Sequence, residues 1–67
     1  MWIRNQSRTG LVDVSSLDVE GKKVMCRNWI LGEYETEKRA MEVLDEIQDH
    51  LNDYKNGYRE TFEMPEK

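Results

Sequence analysis

Apolar residues recur along residues 36–57 at Ala40, Val43, Leu44, Ile47, Leu51 and Tyr54, the three-and-four spacing of one helical face. Thr36 offers an N-cap hydroxyl, and Glu37 puts an acid in the first turn, where the helix dipole favours it. Arg39 occupies the third helical position, so there is no full capping box. Asn56-Gly57 supplies the stop, with Gly57 suited to the left-handed position beyond the last turn. The pattern predicts an amphipathic helix over about 36–56.

Ahead of the helix the pattern changes to short apolar runs separated by turn residues. Trp2-Ile3-Arg4 is a first strand, followed by the polar turn Ser7-Arg8-Thr9-Gly10. Leu11-Val12-Asp13-Val14 is a second, interrupted by Ser15-Ser16. Leu17-Asp18-Val19-Glu20 alternates apolar and acidic, the period of a half-buried strand. Gly21-Lys22 is a tight turn, with Val24-Met25-Cys26 returning antiparallel. Arg27-Asn28 turns again into Trp29-Ile30-Leu31-Gly32-Glu33-Tyr34, where adjacent apolar residues break strict alternation and point to a bulge near Gly32. In the tail, Tyr58, Phe62 and Met64 share one period-2 face, suggesting an edge strand or an arm that packs on a partner; Pro65 ends it. The expected fold is α+β: a small antiparallel sheet of three to five short strands with one helix on a face.

One helix on one short sheet makes a thin core. Trp2, Met25, Trp29, Phe62 and Met64 are more large apolar groups than one helical stripe covers. Small domains often resolve such a surplus by assembling. A homodimer or a protein partner is therefore expected, with Trp2, Trp29, Phe62 and Met64 as contact residues.

Length and composition narrow the function classes. The chain of 67 residues is read as a single small domain spanning 1–67. It contains no apolar run of membrane-spanning length, and its start lacks the basic-then-apolar pattern of a signal peptide. One cysteine makes no internal disulfide, which fits a reducing cytoplasm. One histidine and one cysteine do not build a Cys/His zinc site. The net charge of −4 argues against direct nucleic-acid binding.

The excess acid is concentrated in the helix. Residues 1–35 balance five bases with five acids, whereas residues 36–57 carry three bases and six acids. Glu42, Asp45, Asp49 and Asp53, with Glu46, form an acidic stripe opposite the apolar one. Such a stripe could hold a cation, meet a basic protein surface or mimic the phosphate row of DNA. The simpler reading is a solvated helix face. Arg4, Arg8, Lys22, Lys23 and Arg27 belong to the strand half, together with Trp2 and Trp29. Arginine beside aromatic groups suits either an anionic nucleotide, through Arg4 and Arg27, or a protein contact.

Catalytic chemistry is not legible. The acids sit on the outside of a helix, which offers no desolvated pocket for acid–base work. His50 has no serine or cysteine placed by motif as its nucleophile, and Cys26 reads as a small buried side chain. Glycines at 10, 21, 32 and 57 fit no phosphate-loop spacing. No catalytic residue, cofactor or metal is expected.

Trp2-Ile3-Arg4-Asn5-Gln6, Ile30-Leu31-Gly32-Glu33-Tyr34, Arg39-Ala40 through Val43-Leu44-Asp45-Glu46-Ile47, and Phe62-Glu63-Met64-Pro65 resemble a group of short proteins carried by Firmicutes and their phages and mobile elements. The resemblance covers most of the chain, although the loop at Arg27-Asn28 is short beside the group. Its motifs are structural, and it implies neither an activity nor functional residues. Taken with the composition, it leads us to expect a non-enzymatic, cytoplasmic interaction protein of phage or prophage type that binds a host or phage protein, with inhibition one outcome such binding could have. The alternatives are a binder that sequesters an anionic nucleotide at a dimer interface, and an acidic DNA mimic.

Overall fold

The computed structural model describes residues 1–53 and 61–67. Its elements are β1 (Trp2–Arg4), β2 (Leu11–Asp13), β3 (Asp18–Glu20), β4 (Lys23–Cys26), β5 (Trp29–Glu33), α1 (Glu37–Asp53) and β6 (Phe62–Glu63). The α+β reading holds. The strands, however, divide between two sheets of three, ordered β2-β1-β6 and β3-β4-β5. The expected stop at Asn56-Gly57, the apolar Tyr54 and the tail position Tyr58 lie outside the described residues.

Local chemistry accounts for each element. The Thr36 hydroxyl accepts the Arg39 backbone N–H at 3.0 Å, so α1 starts on the expected cap. The hairpin β3–β4 closes through Gly21-Lys22, with Glu20 opposite Lys23 and Gly21 at φ +60°. The next hairpin closes just as tightly, Cys26 opposite Trp29, but there Arg27 takes the left-handed φ of 55°. A side chain in that region is strained, whereas glycine is not. Arg27→Gly is therefore expected to raise stability by about 0.5–1 kcal/mol, several degrees in melting temperature. Gly21→Ala should lower it by a similar amount, since no atom lies within 4 Å of the added methyl and only the backbone angle opposes it. Thermal melts of both variants check the pair.

The irregularity in β5 falls beside the glycine where alternation breaks. Val24 pairs with Gly32 but Met25 pairs with Ile30, leaving Leu31 as the extra residue. The bulge lets both Leu31 and Gly32 be buried while Ile30 and Glu33 stay exposed.

The core draws on every layer: Ile3, Val14, Val24, Cys26, Leu31, Tyr34, Ala40, Val43, Ile47 and Met64. Helix α1 packs across β3 and β4. It also reaches the other sheet, where His50 meets Phe62 edge-on at 5.5 Å. β6 lies parallel to β1, Ile3 opposite Phe62 and Arg4 opposite Glu63, as an edge strand. This arrangement corrects the surplus inferred from one sheet and one helix. Met64 is 0% exposed in the chain's own core and Phe62 is half-buried, so neither is an open contact residue. The physical reason is the parallel return of the tail, which gives Met64 a place between the sheets.

Among the described residues no strand joins the two sheets; Gln6 links them through its backbone and its side chain. Gln6 donates its backbone N–H to the Leu31 carbonyl at 2.8 Å. Its side-chain Oε1 accepts the Glu33 N–H at 2.8 Å, and its Nε2 donates to the Glu33 carbonyl at 3.0 Å. The same Nε2 reaches the carbonyls of Pro65 at 3.3 Å and Glu66 at 2.8 Å. The free edge of β5 is thus closed by one residue that also holds the C-terminal arm.

Candidate interaction surface

Among the described residues, six large apolar side chains are exposed: Trp2, Leu11, Trp29, Ile30, Met41 and Leu51. They occupy three places. Trp2 and Leu11 share the outer face of the first sheet, because Trp2 pairs with Asp13 and Arg4 with Leu11 while Ile3 packs inward. Trp29 follows the Arg27-Asn28 turn and is 67% exposed, with Ile30 next along β5.

The third place is on α1. Of the described residues in the apolar stripe read from the sequence, Ala40, Val43 and Ile47 are fully buried. Leu44 is half-buried and Leu51 exposed, and both face a groove rather than the core. That groove runs between α1 and the connection from β2 to β3, with Met1, Val14, Leu17, Leu44, Ile47 and Leu51 as its apolar lining and a volume of about 510 Å³. At about 100° per residue, Met41 extends the Leu44–Leu51 row outward, on the side leading to Asp45 and Asp49. Sequence reading missed Met41 because it lies outside the stripe that reaches the core.

The acidic stripe is unevenly compensated. Arg39 pairs with Glu46 at 2.9 Å and with Glu42 at 3.5 Å. Among the described residues, no ion pair involves Asp45 or Asp49. Both lie on the side of α1 turned away from its apolar residues, and neither lines the groove. Asp53 is the last residue described in α1.

A second cleft, about 620 Å³, lies where the C-terminal arm meets the start of α1, lined by Glu33, Tyr34, Glu35, Thr36, Arg39, Glu66 and Lys67. Its groups are already engaged. Tyr34 donates its hydroxyl to the Pro65 carbonyl at 2.9 Å, and Arg39 donates Nε–H to the Lys67 carbonyl at 3.0 Å while its guanidinium stacks 5.8 Å over the Tyr34 ring. Burial pushes the Tyr34 pKa up to about 12, with Glu46 adding to the rise and Arg39 and Arg8 opposing it. The phenol is thus held as a donor at neutral pH and serves as no acid or base there.

The raised pKa carries a signed consequence. In the unfolded chain the phenol ionises near its ordinary value of 10.0, but in the fold only near 12. Its contribution is fully present below pH 10 and is lost as pH rises through 10 to 12. Tyr34→Phe should therefore flatten the alkaline fall in stability over that window. Denaturant titrations of both proteins across it check the point; parallel curves would contradict it.

No family model, curated protein or solved structure matches the chain. Function must therefore be read from the surface itself.

The remaining expected residues fall as follows. Arg4 lies in the first sheet, its guanidinium donating to the Arg8 carbonyl at 3.4 Å, while Arg27 caps a turn of the second sheet. Neither lines the groove beside α1 or the cleft at the C-terminal arm. Among those residues, no group of three histidine, cysteine or acidic side chains is placed to hold a metal ion, and no helix is long and apolar enough to cross a membrane.

Proposed function

We propose that this chain is a non-enzymatic interaction protein of phage or prophage type, working in the cytoplasm by binding a protein of the host or of the phage and so inhibiting it. The observation that carries the reading is Trp29, which at 67% exposure is the most open of the large apolar side chains among the described residues. Tryptophan is costly to leave in water and is among the commonest anchors of protein interfaces. Trp2, 53% exposed on the outer face of the first sheet, adds a second such anchor. The resemblance of Trp2–Gln6, Ile30–Tyr34 and Phe62–Pro65 to small Firmicutes and phage proteins supports the origin.

The test is affinity capture from a Firmicutes lysate with the wild-type chain beside Trp29→Ala and Trp2→Ala. Both side chains are exposed, so circular dichroism of the variants should match the wild type. One stoichiometric protein partner is expected, with capture reduced at least tenfold by Trp29→Ala. Recovery of the bait alone, with a monomer mass by native mass spectrometry, would overturn the reading.

A further inference from the structure

We propose that the seat of the C-terminal arm is a peptide-recognition site, filled in this fold by the chain's own residues 62–67, and that a partner protein enters it with an extended segment of the order large apolar residue, acid, methionine, proline. This rests on the interaction reading above and names a surface for it and the chemistry of the occupant.

Three observations converge. First, the arm is held through its backbone. The Met64 N–H donates to the Arg4 carbonyl at 3.0 Å. Tyr34 donates its hydroxyl to the Pro65 carbonyl at 2.9 Å, Gln6 donates Nε2 to the Pro65 and Glu66 carbonyls at 3.3 and 2.8 Å, and Arg39 donates Nε–H to the Lys67 carbonyl at 3.0 Å. These donors follow β1, follow β5 and sit in α1, so the rest of the chain builds the seat. Second, the arm's side chains alternate. Phe62 is half-buried and Met64 fully buried, whereas Thr61 and Glu63 are exposed. Gly32 makes room for the anchor, since a methyl there would stand 3.2 Å from the Met64 Cε. Third, among the described residues a single ion pair or hydrogen bond reaches a side chain of the arm, Arg8 with Glu63 at 3.4 Å. Main-chain hydrogen bonds combined with pockets for alternate side chains are how a sheet edge takes up an extended peptide from another molecule. Such a seat does not require its own tail. A segment with apolar groups two positions apart satisfies it, and Arg8 favours an acid between them. Proline after the anchor leaves no N–H unpaired where the segment departs from β1. A helical occupant would keep its carbonyls for its own hydrogen bonds and leave Gln6, Tyr34 and Arg39 without acceptors.

The experiment uses the full chain and a fluorescein-labelled peptide of residues 61–67, Thr-Phe-Glu-Met-Pro-Glu-Lys. Met64→Ala in the chain removes the tethered anchor and leaves the seat. Anisotropy should show saturable binding of the peptide to this variant, at least tenfold tighter than a peptide carrying Met64→Ser. A peptide carrying Thr61→Ala should bind within twofold of the unchanged one, because that side chain is exposed. At roughly 100 times its Kd, the unlabelled peptide should raise the variant's melting temperature by at least about 5 °C. If Met64→Ala is unfolded alone, the same addition should restore its circular dichroism. Phe62→Ala, which deletes only a half-buried group, should also bind the peptide, more weakly because its tethered arm keeps Met64. Arg39→Ala added to Met64→Ala should weaken binding several-fold, since the Lys67 carbonyl loses its donor.

Equal binding of the unchanged and Met64→Ser peptides would overturn the proposal by showing that the anchor is not read. Absence of binding, thermal shift and refolding in both chain variants at millimolar peptide would overturn it as well, because the arm would then be an inseparable part of the core. So would a concentration-dependent dimer of the wild-type chain that Met64→Ala abolishes, because the occupant would then be the arm of a second copy. These failures are distinguishable from failure of the broader reading. A captured partner that depends on Trp29 and is not released by excess peptide would leave that reading standing and remove only this site. Capture of nothing, with peptide binding intact, would do the reverse. A partner that excess peptide releases supports both.

Discussion

Gly32→Ala is expected to destabilise the protein by about 2–3 kcal/mol, a fall of at least about 10 °C in melting temperature for a chain of this size. A methyl at residue 32 would meet the Tyr34 hydroxyl oxygen at 2.8 Å, its Cε2 at 3.1 Å and the Met64 Cε at 3.2 Å. The methionine tip alone could yield. The tyrosine ring cannot move freely, because its hydroxyl is bonded to Pro65, Arg39 lies over its face and it is almost fully buried. Relief must come from displacing the C-terminal arm or the β5 bulge, and both carry hydrogen bonds. A double-mutant cycle makes the argument specific. Tyr34→Phe removes the closest contact, so it should cost less on the Gly32→Ala background than alone. Additive costs, or a Gly32→Ala melt within a few degrees of wild type, would show that the close approach is not what requires glycine.

Gln6→Leu is expected to cost about 2–4 kcal/mol. The substitution keeps the size of the side chain and deletes its amide. Four contacts disappear with that amide: one accepted from the Glu33 N–H and three donated, to the carbonyls of Glu33, Pro65 and Glu66. An amide NH2 has two protons, so the three acceptors share them, with the 3.3 Å contact to Pro65 the weakest. The amide orientation is not arbitrary, since only the oxygen can accept from Glu33 and only the nitrogen can face three carbonyls. Loss of the amide leaves the β5 edge and the arm without their common tie. Hydrogen exchange should therefore accelerate at Glu33 and Met64 more than within α1. Uniform acceleration across the chain would assign Gln6 a merely global role.

The helix and the two tight hairpins were legible because their signals are local. The Thr36 cap lies three positions before the amide it binds, and each turn lies between the residues it pairs. The bulge was legible near Gly32, because adjacent buried residues in a strand require an extra one. Gln6 was not legible, since its partners lie 27, 59 and 60 positions away and a glutamine after a short strand has no signature of its own. Likewise, nothing in the pattern separated Leu44 and Leu51 from Val43 and Ile47. All four fit one helical face, and only the course of the β2–β3 connection leaves Leu44 half-buried and Leu51 exposed while Val43 and Ile47 are fully buried. Of the residues expected to meet a partner, the tryptophans are open and Met64 is core, a distinction made by the parallel pairing of the tail with β1.

The amino-acid order alone determined which segments form strands, turns and helix, where the helix begins, and that its charge lies opposite its apolar stripe. Periodicity and capping act over a few residues, and any compact fold of this chain must respect them. Only the tertiary structure decided that the strands form two sheets, that Gln6 and Tyr34 hold the C-terminal arm, and which apolar side chains remain in water. Those outcomes depend on contacts between residues far apart in sequence, where burial and hydrogen-bond geometry, rather than local preference, select the partner.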